Sequence, residues 1–229
     1  MAQIGILGTG RMAVRLARIL LDNGHQVTLG SRTPSRANKL ARALDGRLCA
    51  GGSYEDAATR PFVLPAVFIR DGLFEVMDRL RAHLSEKTLI DIANPFNHDY
   101  TGFILPWDTS AAEQLQRRFP SNRVVGIFKN VAWEAFENPR FPEGVSDVFV
   151  VGDDSRAKRE VMELFTPSSF RLVDAGALTN ARIVERMTLL GMELGHRMGY
   201  LPRVGWKLLG EPWVPGAKDV WAKTLATAA

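Results

Sequence analysis

Within its first thirteen residues the chain runs from an apolar strand pattern, Ile4-Gly5-Ile6-Leu7, through Gly8-x-Gly10-x-x-Ala13 into a helical pattern. No other feature constrains the fold as tightly. Gly8 permits a tight turn, Gly10 lets a diphosphate come close to the backbone, and the small Ala13 allows the helix to lie against its strand. An anion at this junction meets free N–H groups and the positive end of the helix dipole. Alone, the glycine pattern is also compatible with a purely structural turn. Its place at the first strand-to-helix junction of an alternating chain is the context a dinucleotide site requires.

That alternation continues along the chain. Apolar runs predict strands over 3–8, 26–30, 62–68, 88–92, 123–128, 147–152 and 171–174, with a weaker one over 47–50. Helical spacing predicts helices over 11–23, 34–44, 73–83, 110–119, 132–137, 155–166 and 180–198. In the first helix Met12, Leu16, Ile19 and Leu20 share a face, and Asn23-Gly24 ends it, because glycine takes the left-handed cap conformation without strain. Strand–helix–strand order implies parallel strands joined by right-handed crossovers. The expected fold is therefore α/β, a Rossmann-type, mostly parallel sheet flanked by helices, with a small C-terminal helical extension. The last helix carries Val184, Met187, Leu190, Met192 and Leu194 and is expected to be covered on more than one side. Trp206, Trp213 and Trp221 follow in a tail expected to lie over another surface.

Composition narrows the function. A chain of 229 residues, 46% hydrophobic and 24% charged, suits one large globular domain or one domain with an appendage. The net charge of +4 comes without a run of five or six basic residues, so nucleic acid is not expected, whereas a phosphate-rich small ligand is compatible. No apolar stretch reaches about 18 residues and no leader pattern opens the chain, so no membrane span is expected and the expected compartment is the cytoplasm. Cys49, the only cysteine, excludes an internal disulfide and reads as a packed residue rather than a nucleophile. His25, His83, His98 and His196 lack ligand spacing, so no metal is expected. No serine-hydrolase elbow or Walker lysine loop is present. Asp153 and Asp154 read as helix caps, Asp174 as the tie of a turn, and Met187, Met192 and Met198 as packing residues.

The end of the second strand selects between dinucleotides. NAD sites place a carboxylate there to bind the ribose 2′-hydroxyl. This chain has Gly30-Ser31-Arg32, with Arg36 one helical turn on. Ser31 can donate a hydrogen bond, and Arg32 and Arg36 supply charge and planar donor forks. The pattern favours NADP(H) over NAD; the alternative is an ordinary polar helix start.

The quoted strings Gly8-Thr9-Gly10 and Gly30-Ser31-Arg32 are followed by Val151-Gly152-Asp153-Asp154 with Ala157-Lys158. Then comes Val173-Asp174-Ala175-Gly176-x-Leu178-x-Asn180-Ala181-Arg182-x-Val184-Glu185. Together they resemble the NADPH-dependent deazaflavin-coenzyme (F420) reductase family, with its relatives the oxidoreductase domains of the STEAP metalloreductases. The resemblance spans about Ile4 to Leu208. It implies hydride exchange between the nicotinamide and a deazaflavin (F420) or flavin acceptor, and pairing as homodimers. It implies an NADP-binding region over 1–178, with a C-terminal helix and tail over 179–229 closing the acceptor site. Carried over by position, Gly8, Thr9, Gly10, Arg11 and Met12 lie by the diphosphate, and Ser31, Arg32 and Arg36 at the 2′-phosphate. Val67, Phe68, Ile69, Asn94 and Pro95 flank the nicotinamide riboside. Lys129, Asn130 and Val131, with Val204, Gly205 and Trp206, form the acceptor side.

Three features depart from the family pattern. Pro65 interrupts a strand, which suggests an edge, a bulge or a local shift. Lys129 stands where an uncharged or aromatic residue is expected, and the Trp-rich tail runs past the usual end. No catalytic acid or base is assigned, because hydride transfer between flat rings needs alignment and exclusion of water more than proton chemistry. A reductase of an imine or another small biosynthetic substrate would want a proton donor, for which His196, Tyr200 and Lys129 are the candidates. A sensor that binds NADPH without turnover is the remaining alternative. Trp206 reads equally as a stacking wall or as plain packing.

Overall fold

The computed structural model describes residues 1–211 and Thr227; Trp213 and Trp221 lie outside the described residues. The first half is built of β1 (Gln3–Leu7), α1 (Arg11–Asp22), β2 (Gln26–Gly30), α2 (Pro34–Asp45), β3 (Cys49–Gly52), α3 (Tyr54–Ala58), β4 (Phe62–Pro65), α4 (Leu73–Arg79), α5 (Arg81–Leu84) and β5 (Thr88–Asp91). The second half contains α6 (Ala111–Arg118), β6 (Arg123–Gly126), a small hairpin of β7 (Arg140–Phe141) and β8 (Gly144–Val145), β9 (Asp147–Val150), α7 (Ser155–Phe165), β10 (Arg171–Asp174) and α8 (Ala181–Arg197).

Six strands form one sheet in the order β3-β2-β1-β4-β5-β6, every pair parallel. This is the Rossmann order, and its reversal of direction between β1 and β4 opens a crevice at the strands' carboxyl ends. The parallel pair β9–β10 adds a second, two-stranded layer, joined to β6 by the antiparallel bridge Gly126↔Val151.

Period-two alternation divides the core between the two faces of the sheet. Ile4, Ile6, Leu64, Ile90 and Val125 pack with Leu16 and Leu20 of α1 and Val161 and Phe165 of α7. Leu7, Val63, Leu89 and Val124 pack with Met77, Leu80, Leu115 and Val184 on the opposite side. Each fully buried aliphatic side chain contributes about 1.5–3 kcal/mol of transfer free energy.

The differences from the sequence reading have local causes. The helix expected over 73–83 breaks at Leu80 into α4 and α5. The weak strand over 47–50 moves to β3, and the expected helix over 132–137 is a 3₁₀ turn, Trp133–Phe136. The short α3 was not anticipated, although its capping box is written in the sequence: Ser53 Oγ accepts from Asp56 N–H, and Asp56 accepts from Ser53 N–H. The long apolar strands end early, β4 at Pro65 and β6 at Gly126, as the chain turns into the crevice. Pro65 is no edge residue. It pairs with Leu7 on β1, but β4 has already parted from β5 beyond Val63, so a shift of the ladder accommodates the missing N–H.

Asp154 caps α7 by accepting from Ala157 N–H, whereas Asp153 instead accepts from Leu178 N–H and ties the approach to α8. Asp174 ties its turn through Gly176 N–H and pairs with Lys158. Helix α8 is covered on one side only: Ile183, Leu190, Leu194 and Met198 are exposed among the described residues. No helix among the described residues is long and apolar enough to cross a membrane.

Candidate functional site

The phosphate loop is made of backbone. Gly8 has φ +142°, and a Cβ there would lie 2.7 Å from the Ala66 carbonyl oxygen, so only glycine fits between β1 and β4. Gly10 is the N-cap of α1 and has an ordinary φ of −82°, with no side-chain cap on the helix. A Cβ on Gly10 would meet nothing within 4 Å, and the first turn of α1 holds no acidic residue. An uncapped helix start with open space before it fits a diphosphate.

At the end of β2, Ser31 is buried and its Oγ accepts from Thr33 N–H at 3.1 Å, leaving its hydroxyl proton free to donate elsewhere. Arg32 is exposed. Arg36, in the first turn of α2, donates from Nε to Thr9 Oγ1 at 3.1 Å and from Nη2 to the Thr9 carbonyl at 3.4 Å. The guanidinium therefore braces the phosphate loop. These residues suit an anion at the ribose 2′ position.

A cavity of about 760 Å³ opens from the phosphate loop. Gly10, Arg11 and Met12 border it at one end, and Val67, Phe68 and Asn94 follow from the loops after β4 and β5. Asn130, Val131, Val204 and Trp206 complete the far side. Residues expected at both the nucleotide and the acceptor thus meet around one space. Gly8, Thr9, Ser31, Arg32 and Arg36 lie outside its lining, as do Ile69, Pro95 and Gly205; Gly205 sits instead against Phe141 and Ser146, where a Cβ would come within 2.8 Å of both.

The three proton-donor candidates lie off this wall. His196 and Tyr200 are exposed near the end of α8 and do not line the cavity. Lys129 is completely buried, with its Nζ 2.6 Å from Asp91 Oδ2 and 3.0 Å from Glu185 Oε1, and donating to the Ala93 carbonyl at 2.6 Å. Burial favours the neutral amine, but the two carboxylates overcome it and hold the Lys129 pKa above its ordinary value. Burial in turn raises the pKa of Glu185, against the pull of Lys129. The departure seen at Lys129 is therefore an internal ion cluster rather than an acceptor contact.

Sequence reasoning missed several lining residues. Thr188, Gly191 and Met192 form one face of α8, a spacing that was legible. Arg15, Phe96, Asp99, Tyr100, Trp133 and Leu201 carried no such signal. Tyr100 has φ +62°, a costly conformation for a bulky residue. It is held by Arg70, whose guanidinium carbon lies 4.3 Å from the Phe68 ring centre and 4.4 Å from that of Tyr100 and whose Nη2 donates to Tyr100 Oη at 2.6 Å.

The segment 201–208 is fastened as a strap. Asp147 N–H donates to the Trp206 carbonyl at 2.8 Å, and Asp147 Oδ2 accepts from Leu208 N–H at 2.7 Å. Asp147 is buried, which pushes its pKa up, but the Arg171 guanidinium at 2.6 Å more than compensates and its pKa is lowered. Gly195 lets the strap touch α8, since a Cβ there would lie 2.4 Å from Val204 Cγ2. Trp206 packs on Gly191 of α8 and also lines the cavity. Among the described residues, no group of three or more His, Cys, Asp or Glu side chains is placed to hold a metal ion.

Comparison with known proteins agrees with this geometry. Residues 3–95 match the family model of the coenzyme F420-dependent NADP oxidoreductases. The chain is related to that family. It is 27% identical over 211 residues to the F420-dependent NADP reductase of Methanocaldococcus jannaschii, covering 85% of this chain and 94% of the relative. It is 32% identical over 188 residues to the metalloreductase STEAP3 of Rattus norvegicus, covering 82% of this chain but 36% of the relative, so it spans about a third of that protein's length. The crystal structure of a candidate F420-dependent NADP reductase from Arthrobacter sp. FB24 superposes with a TM-score of 0.78 at 26% identity, covering 92% of this chain and all of that one.

Proposed function

We propose that this chain is an NADP(H)-dependent oxidoreductase that exchanges hydride between the nicotinamide and a deazaflavin (F420) or flavin-type acceptor. The carrying observation is that one cavity begins at the uncapped α1 N-terminus and is lined further on by the aromatic side chains of Phe68, Phe96, Tyr100, Trp133 and Trp206. A lining of this kind suits a flat ring system.

Bound NADPH supplies the hydride. The protein's part is placement. Gly8 and Gly10 leave room for the diphosphate, α1 stabilises its charge, and Ser31, Arg32 and Arg36 take the 2′-phosphate. Met12, Val131, Met192 and Val204 exclude water from the space where the rings meet, which strengthens the alignment hydride transfer requires. The region 1–178 holds the nucleotide, and α8 with the strap closes the acceptor side. We further propose a cytoplasmic homodimer. The exposed stripe Ile183, Leu190, Leu194 and Met198 along α8 supports the dimer, since such a face on a second copy would complement it.

Anaerobic mixing with NADPH and oxidised deazaflavin coenzyme, followed by the absorbance of the oxidised ring, tests the reading. The expected result is bleaching with that acceptor or with FMN or FAD. No turnover with any of these but reduction of a cyclic imine transfers the assignment to imine chemistry, for which Tyr100 is the lining proton donor. Tight NADPH binding without any turnover makes the chain a sensor.

A further inference from the structure

Lys129 Nζ donates to the Ala93 carbonyl and lies 2.6 Å from Asp91 Oδ2 and 3.0 Å from Glu185 Oε1, a fully buried ion cluster. Its ammonium faces these acceptors and is not in the cavity lining. Its position, however, is unusual. The cluster joins the end of β5 (Asp91), the loop after β6 (Lys129) and α8 (Glu185), and Glu185 also accepts from Ala111 and Ala112 N–H at the start of α6 at 3.0 and 3.4 Å. Apolar side chains can stabilise such a junction equally well, and what buried ions add is a defined arrangement.

That arrangement is legible one residue away. Asn94 lines the cavity, and its Nδ2 donates to the Lys129 carbonyl at 2.8 Å and to Thr188 Oγ1 at 3.3 Å. The Thr188 hydroxyl donates to the same carbonyl. Lys129 thus grips this loop twice, through its ammonium at Ala93 and through its carbonyl at Asn94. With both amide hydrogens directed away, the Asn94 side chain cannot flip without losing these bonds. Its Oδ1 is left buried, with no partner among the described residues. A buried acceptor at a cavity wall without a donor is a costly feature unless a ligand completes it.

We propose that Lys129 is a positioning residue: it locks the Asn94 amide so that Oδ1 accepts from the carboxamide N–H of the nicotinamide. The inference rests on the NADP(H) reading above and deepens it. Lys129 never touches the cofactor, and its effect is confined to the nicotinamide end. The adenosine end is held by α1 and the end of β2, elements outside the cluster.

Calorimetric titration with two probes separates the ends: NADPH, and adenosine 2′,5′-bisphosphate, which lacks the nicotinamide. In Asn94→Ala and Lys129→Met, NADPH affinity is expected to fall about tenfold while the bisphosphate stays within about twofold. Should Lys129→Met fail to fold, Lys129→Met/Asp91→Asn removes the buried pair together and leaves Glu185 its two backbone donors. Parallel losses for both probes, or unchanged NADPH affinity, overturn the proposal while leaving the NADP(H) reading intact. A wild-type chain that binds neither probe defeats that reading first, and this inference with it.

Discussion

The two ends of the cavity are built by different means. The end proposed for the nucleotide is mostly backbone, a glycine turn, a helix start and one short strand, with the side chains of Ser31, Arg32 and Arg36 added after β2, contiguous within residues 8–36. The end proposed for the acceptor is side chains delivered by distant segments and held by charge, the buried cluster Asp91–Lys129–Glu185 and, at the strap, the buried Asp147 paired with the exposed Arg171. A backbone site tolerates little change of sequence and serves one ligand class. A site of side chains on separate loops can be refitted to a new acceptor while the sheet stays as it is.

The contrast can be broken by substitution. Lys129→Met leaves two buried carboxylates without their cation and is expected to lower stability by about 3–5 kcal/mol in denaturant unfolding; a loss below about 1 kcal/mol would mean that the cluster holds nothing in place. Gly8→Ala forces a Cβ against the Ala66 carbonyl at positive φ, and about 3 kcal/mol is expected to be lost together with NADPH binding. Its control is Gly10→Ala, which meets open space and has an ordinary φ. Stability should stay within about 0.5 kcal/mol while NADPH affinity falls about tenfold, and an unchanged affinity would show that nothing approaches there.

Arg32→Ala should weaken NADPH about tenfold and NADH hardly at all, measured by fluorescence titration; equal losses remove the 2′-phosphate assignment. The smallest effect concerns the strap. Because the folded pKa of Asp147 is depressed, its contribution is complete above the unfolded value near about 4 and is lost as pH falls through the lower folded value. The Leu208 amide resonance is expected to hold steady from neutral pH down to about 4 and to move below it. Movement already near about pH 6 would assign the clasp to another group.

The same contrast explains what the sequence disclosed. β1, α1, β2 and the glycine turn between β1 and α1 were readable because each depends on neighbours a few positions away. Lys129 and Asn94 were visible as candidate residues, but their contacts were not, since these depend on Asp91, Glu185 and Thr188, the last of them 59 residues from Lys129 and 94 from Asn94 along the chain. Tyr100 left no trace in periodicity because its place is set by Arg70 and an unfavourable φ. The open side of α8 was misread because a helix apolar all round does not say which stripe the rest of the chain leaves uncovered.

The central claim is that backbone amides after β1 hold a diphosphate while guanidinium groups after β2 hold an added phosphate. Calorimetry of the wild-type chain with NADPH and with NADH tests it directly. The account predicts saturable one-to-one binding of NADPH, at least about tenfold tighter than NADH. No saturation with either nucleotide, or equal affinity for the two, would contradict it.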